Sequence, residues 1–215
     1  MTKKEKAKII CKILLNEYPN ATCSLNFKSP LELLIATRLS AQCTDERVNI
    51  VSKPLFERFK DLNDFANCDI LELEMIIKSC GFYHAKAKSI KEMCNTLLSN
   101  FGGTIPNSME KLLTLSGVGR KTANLVLGEL YNEPAIVADT HCIRLSNRLG
   151  LCNTTDPYKV ELALFKLIKK EDSLAFCHSL VHHGRAVCNA RKPICEKCCC
   201  KAYCLYTLKI DGGKI

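Results

Sequence analysis

No stretch of this 215-residue chain approaches eighteen consecutive apolar residues, so no segment reads as a membrane-crossing helix. Nor does any stretch sustain the two-residue alternation of half-buried strands, which argues against a sheet-built core. Internal repeats and low-complexity linkers are absent too. The opening MTKKEKAKIICKILLNEYP begins basic but lacks the long apolar core and small-residue cleavage site of a secretory signal. It is expected to form an amphipathic helix, in a cytoplasmic protein with no membrane partner.

What remains is globular in composition, with 47% hydrophobic and 25% charged residues and enough length to bury a core without staples. Cysteine is abundant, at fifteen. Nine are scattered singly among apolar residues (Cys11, Cys23, Cys43, Cys68, Cys80, Cys94, Cys142, Cys152 and Cys177), where a reduced thiol behaves as a small hydrophobe. The odd total and the scatter favour a reducing compartment over a disulfide framework. The other six crowd into CNARKPICEKCCCKAYC, residues 188–204.

The net charge of +9 points to an acidic partner, nucleic acid before a membrane surface. Between His182 and Cys204, Arg185, Arg191, Lys192, Lys197 and Lys201 face a single acid, Glu196.

Helix starts recur. Ser29-Pro30-Leu31-Glu32 joins a cap, a first-position proline and a glutamate three residues after the cap. Asp69 to Glu72 and Asn107 to Glu110 repeat that spacing, while Thr44-Asp45-Glu46 and Asp156-Pro157 add further starts. Stops fall at Gly81, Gly102-Gly103 and Gly150. Ala123, Val126, Leu127 and Leu130 form one apolar face; Val160, Leu164, Leu167 and Ile168 form another. The pattern predicts about ten short helices, with Ala135 to Ala138 the one extended stretch. The seam between domains is expected at Asn132-Glu133-Pro134.

In LTLSGVGRKTANLVL, residues 113–127, Gly117-Val118-Gly119 separates two helical patterns. Glycine permits positive φ and close approach of the backbone to a ligand. Amides at the following helix's start, with Arg120 and Lys121 beside them, suit a phosphate. A plain helix–helix turn accounts for the same pattern equally well. In VADTHCIRLSNR, Asp139 reads as an N-cap or as a functional partner of Lys121. The spacing of Cys188, Cys195, Cys198 and Cys204, with six, two and five residues between them, fits zinc or an iron–sulfur cluster.

Together these segments, with LLIATRLSAQCTDERVN (33–49) and HHGRAVCNARKPIC (182–195), resemble the endonuclease III family of DNA base-excision glycosylases, within the helix-hairpin-helix superfamily. The resemblance runs from about Ile9 to Cys204. It implies an all-α fold of two helical domains with a DNA-binding cleft between them. Residues 23–133 would form a helical barrel domain; residues 1–22 and 134–215 would form the cluster domain. The implied activity is removal of oxidised pyrimidines from duplex DNA and strand cleavage at the resulting abasic site by β-elimination.

Carried over by position, Lys121 is the nucleophile and Asp139 its acidic partner. Gln42 enters the space that a flipped nucleotide vacates, and Phe82, in GFYHAKA, supplies a second wedge. Gly117, Val118, Gly119, Arg120, Arg185, Arg191 and Lys192 are the expected DNA contacts. Cys188, Cys195, Cys198 and Cys204 are the expected ligands of a [4Fe-4S] cluster, although Cys199 and Cys200 leave the register open at Cys198. Ligation would close a loop that projects Arg191 and Lys192 toward phosphates. A lysine amine can form a Schiff base only when neutral, and an ordinary one costs about 4.6 kcal/mol to deprotonate at pH 7. Duplex DNA with oxidised pyrimidines or abasic sites is the expected partner of a monomer. The competing readings are a monofunctional mismatch glycosylase and a non-catalytic DNA-binding cluster protein. Relatives of the first kind lack a lysine at the position of Lys121, and pure binding requires none of Lys121, Asp139 and Gln42.

Overall fold

The computed structural model describes residues 1–210, and every regular element among them is helical. The chain forms two compact units, one of Cys23–Glu133 and one of Met1–Thr22 with the segment from Pro134 on.

Helix α1 (Lys3–Glu17) opens on a closed capping box: the Thr2 hydroxyl accepts the Glu5 N–H at 3.2 Å, and the Glu5 carboxylate accepts the Thr2 N–H at 2.7 Å. Its apolar face buries Ala7, Ile10, Cys11 and Leu14. Helices α2 (Pro30–Leu39) and α3 (Asp45–Arg58) start at Ser29 and Thr44, whose hydroxyls accept the N–H of Glu32 and Arg47. Then follow α4 (Leu62–Asn67), α5 (Ile70–Ile77), α6 (Tyr83–Phe101), α7 (Met109–Leu112) and α8 (Arg120–Tyr131). The remaining helices are α9 (Thr140–Arg148), α10 (Pro157–Phe165), α11 (Ser173–Ala186) and α12 (Leu205–Ile210).

Three local expectations shift. Ser108, not Asn107, caps α7, its hydroxyl accepting the Lys111 N–H. Asp69 caps α5 through the Leu71 N–H, while Glu72 turns away to a two-pronged pair with Arg58. The face drawn through Leu167 and Ile168 is not continuous helix. Helix α10 ends at Phe165, and both later amides fold back onto the Leu164 carbonyl, at 2.9 and 2.8 Å.

In the unit of residues 23–133, α4 and α5 pack against α6, and α2 packs against α6 and α8. Leu34, Leu39, Val48, Leu55, Phe65, Ile90, Met93, Leu97 and Val126 fill its core. In the other unit α11 lies against α1 and α9, burying Phe176 and Leu180. Gly184 makes the α9–α11 contact possible, because a Cβ there would stand 2.6 Å from the His141 ring and 3.0 Å from Arg144. Residues 135–138 are buried but pair with no strand; the Ala135 N–H donates to Ser173 Oγ at 3.1 Å. Of the nine scattered cysteines, Cys23 and Cys43 are only half-buried.

Candidate active site and metal centre

The Gly117-Val118-Gly119 turn divides its work unequally. Gly117 has φ +76, and a Cβ there would lie 2.6 Å from Arg38 Cδ and 3.1 Å from Ser89 Oγ, so packing and backbone both demand glycine. Gly119 is extended, at φ −99, with nothing within 4 Å of the space its Cβ would occupy. The expectation of positive φ therefore holds at Gly117 alone. The Val118 N–H is used within the turn, on the Leu115 carbonyl at 3.1 Å, and its side chain is buried. Gly119 caps α8 without a side-chain oxygen. Arg120 and Lys121 occupy the first turn, with Lys121 exposed.

Asp139 is the N-cap of α9. One carboxylate oxygen accepts the Cys142 N–H at 2.7 Å and the other lies 3.3 Å from His141 Nδ1. The cap reading of Asp139 thus describes one oxygen and leaves the second toward a histidine. The sequence offers one signal for His141, its place two residues after an acidic cap.

Gln42 and Phe82 share a backbone peculiarity. Among the described residues, three non-glycines have positive φ: Gln42 (53°), Phe82 (48°) and Asn132 (52°). Asn132 is an ordinary left-handed cap at the end of α8. The other two are exposed at the ends of sharp turns, Phe82 with 68% of its surface open to solvent.

The four expected cluster ligands share one neighbourhood. Burial raises the Cys195 thiol, and the nearby Cys204 and Cys188 raise it further. Burial also pushes Cys198 up to about 12; a bond from the Cys200 backbone N–H opposes this, and Cys199, Cys204 and Cys188 add to it. Nitrogen donors meet two of these sulfurs: Arg148 Nη1 lies 3.3 Å from Cys188 Sγ, and His183 Nε2 lies 3.3 Å from Cys198 Sγ. The other His183 nitrogen faces the Tyr18 hydroxyl at 3.0 Å. Such donors stabilise thiolates that bind metal and orient them.

Among the described residues no three His, Cys, Asp or Glu side chains converge closely enough to hold a single ion. Four thiolates are a donor set that suits either a single zinc or a cluster in which each binds its own iron. By donor chemistry alone, four thiols with nitrogen donors on two of them, the residues fit a [4Fe-4S] group. Cys199 and Cys200 place their sulfurs 3.9 Å apart, and Cys200 is wholly buried.

The loop from Cys188 to Cys195 is closed by protein contacts as well. The Ile194 N–H donates to the Val187 carbonyl at 2.9 Å, and Arg148 donates to the carbonyls of Asn189 and Ala190, both at 2.7 Å. Arg144 adds bonds to the carbonyls of Gly184 and Cys188. Arg191 and Lys192 are exposed on this loop, and Arg185 is exposed near the end of α11. Sequence spacing does not reveal Arg144 and Arg148, four apart on α9, because their acceptors lie about forty residues away.

A helix, a turn led by glycine and a lysine-bearing helix, with an aspartate-capped helix further along the chain, form a helix-hairpin-helix scaffold. Residues 35–170 match the model of the HhH-GPD superfamily of base excision DNA repair proteins. The chain is 50% identical to endonuclease III of Synechocystis sp. over 92% of its length and 90% of that relative's. To endonuclease III of Bacillus subtilis it is 41% identical, over 90% of this chain and 89% of the relative. A solved non-covalent endonuclease III–DNA complex covers 99% of this chain, and all of that chain is covered in turn, with TM-score 0.93 and 38% identity. A trapped endonuclease III–DNA covalent intermediate matches 98% of this chain and all of its own, with TM-score 0.93 and 39% identity. The chain belongs to the endonuclease III family of this superfamily. Among the described residues, no helix is long and apolar enough to cross a membrane.

Proposed function

We propose that this chain is a bifunctional DNA glycosylase and abasic-site lyase that removes oxidised pyrimidines from duplex DNA, acting as a monomer in the cytoplasm. The observation that carries the proposal is Lys121, exposed in the first turn of a helix that glycine leads and no side chain caps. In this reading the neutral Lys121 amine attacks C1′ of the flipped nucleotide, and the glycosidic bond breaks with its electron pair leaving on the base. The opened sugar and the amine form an imine. Loss of the 2′ proton then expels the 3′ phosphate, and water releases Lys121. Because Lys121 is exposed in the free chain, exclusion of water around its amine falls to the bound DNA. Strand cleavage of an abasic duplex without added metal separates this function from mismatch glycosylase or pure binding; an intact strand would overturn it.

Asp139 is assigned to accept a proton and to stabilise positive charge developing on the sugar. The variant Asp139→Asn tests this cleanly, since asparagine also caps helices well. Base release in single-turnover assays is expected to fall about a hundredfold or more. DNA affinity and melting temperature should change little. A parallel fall of excision and binding would reduce Asp139 to a cap.

Gly119 has open space where a side chain would stand, so the protein itself does not require glycine there. This supports close approach of a DNA phosphate to the start of α8, with Gly117, Val118 and Arg120 shaping the turn. A [4Fe-4S] cluster on Cys188, Cys195, Cys198 and Cys204 would cross-link the loop through iron–thiolate bonds. The loop then presents Arg191 and Lys192 to phosphates, beside Arg185. Lys192→Ala should weaken binding to damaged and undamaged duplexes alike and reduce the log–log salt slope by about one. An unchanged slope would leave Lys192 a solvated charge.

A further inference from the structure

Lys86 is a charged residue with 1% of its surface exposed, and none of the chemistry above uses it. It sits in the first turn of α6, where a cation opposes the helix dipole. Burial pushes its ammonium below the usual lysine range, with the thiols of Cys43 and Cys80 acting the other way and Arg38 adding to the depression. A charge kept in such a place has to be held by its partners. Its Nζ donates to the Leu39 carbonyl at 2.8 Å and to the Cys80 carbonyl at 2.9 Å.

Those two carbonyls mark the take-off points of two turns. Leu39 ends α2, three residues before Gln42; Cys80 ends a short 3₁₀ turn, two residues before Phe82. Among the described residues, Gln42 and Phe82 are also the two non-glycines whose left-handed backbone no helix C-cap explains. Such conformations are strained and persist only where the surroundings over-determine them. The same hub extends to the hairpin. The Lys86 carbonyl accepts the Ser89 hydroxyl at 3.0 Å, Ser89 Oγ accepts Arg38 Nε at 2.6 Å, and Arg38 fills the space beside Gly117.

We infer that Lys86 is a positioning residue, which sets the Gln42 and Phe82 turns at a fixed separation so that both can enter the duplex together. The inference rests on the reading of Gln42 and Phe82 as wedges. One ammonium binding both turns makes their spacing a property of the folded chain before DNA arrives. Base flipping then meets a preorganised pair instead of two independent loops.

The test compares two single-turnover rates: excision from a duplex holding dihydrouracil, and β-elimination on the same duplex with a preformed abasic site. Lys86→Met should lower excision by about tenfold or more, since small misplacements far from the chemistry are costly, while β-elimination changes by less than about threefold. Gln42→Ala should shift the ratio in the same direction, and the double variant should fall short of the product of the two effects. Equal loss in both assays, or no loss in either, would overturn the inference and leave Lys86 a structural residue. If Gln42→Ala and Phe82→Ala both leave the ratio unchanged, the wedge reading itself fails, and the inference with it. Should Lys86→Met not fold, Lys86→Gln retains amide donors on a shorter arm and is judged by the same ratio.

Discussion

Borohydride added during incubation with an oxidised-pyrimidine duplex should trap no covalent adduct with the Lys121→Gln chain, while the unaltered chain traps one that maps to Lys121. The imine that hydride reduces requires a primary amine, and an amide cannot form it. The expected loss is complete, not graded, because no neighbouring group supplies the same chemistry from the same helix turn. Lys121 is exposed, so the substitution removes no core contact, and lesion binding and melting temperature should stay close to those of the parent. An adduct on a different lysine would overturn the assignment. Arg120 beside it offers no substitute, since a guanidinium stays protonated.

The second large effect concerns iron. The purified chain should be yellow-brown and hold about four irons and four sulfides, with little zinc. Cys198→Ser should bleach it, because a hydroxyl is a poor iron ligand; the Cys200 N–H bonds that sulfur, while His183 meets both it and Cys199. Cys199→Ser and Cys200→Ser should each keep the colour. The second should nonetheless cost about 1–3 kcal/mol of stability, since it puts a hydroxyl into a wholly buried site. Bleaching by either of these, with Cys198→Ser unaffected, would move the register by one or two residues. Iron content reads this out independently of catalysis.

Much of the helical plan was legible because caps are local chemistry. Ser29, Thr44, Asp139 and Asp156 each bond the amide three residues on, a relation that spacing alone reveals. Spacing puts the cap of α7 one residue early, because Asn107 and Ser108 are both good caps. The end of α10 was missed because burial of Ile168 continues an apolar pattern after the helical bonds stop. Lys86 was invisible for a different reason. Its acceptors at Leu39 and Cys80 are brought to it by the fold, and a lysine near the start of a helix otherwise reads as solvated. Arg144, Arg148 and His183 share that blindness, since each acts on atoms distant in sequence.

Gly184 carries a consequence for how variants of this chain are interpreted. It bears no functional group, yet any side chain there collides with the ring of His141, and His141 is the neighbour of Asp139 Oδ2. An alanine at 184 would therefore imitate a lesion of the acidic group without touching it. Genetic screens that score survival alone would class the position with the reactive residues. A volume-reducing change at position 141 would relieve the closer of the two collisions, at 2.6 Å, without restoring the imidazole, and would leave the 3.0 Å approach to Arg144. Position 184 thus sets a limit on divergence in this unit that is steric in origin and chemical in appearance.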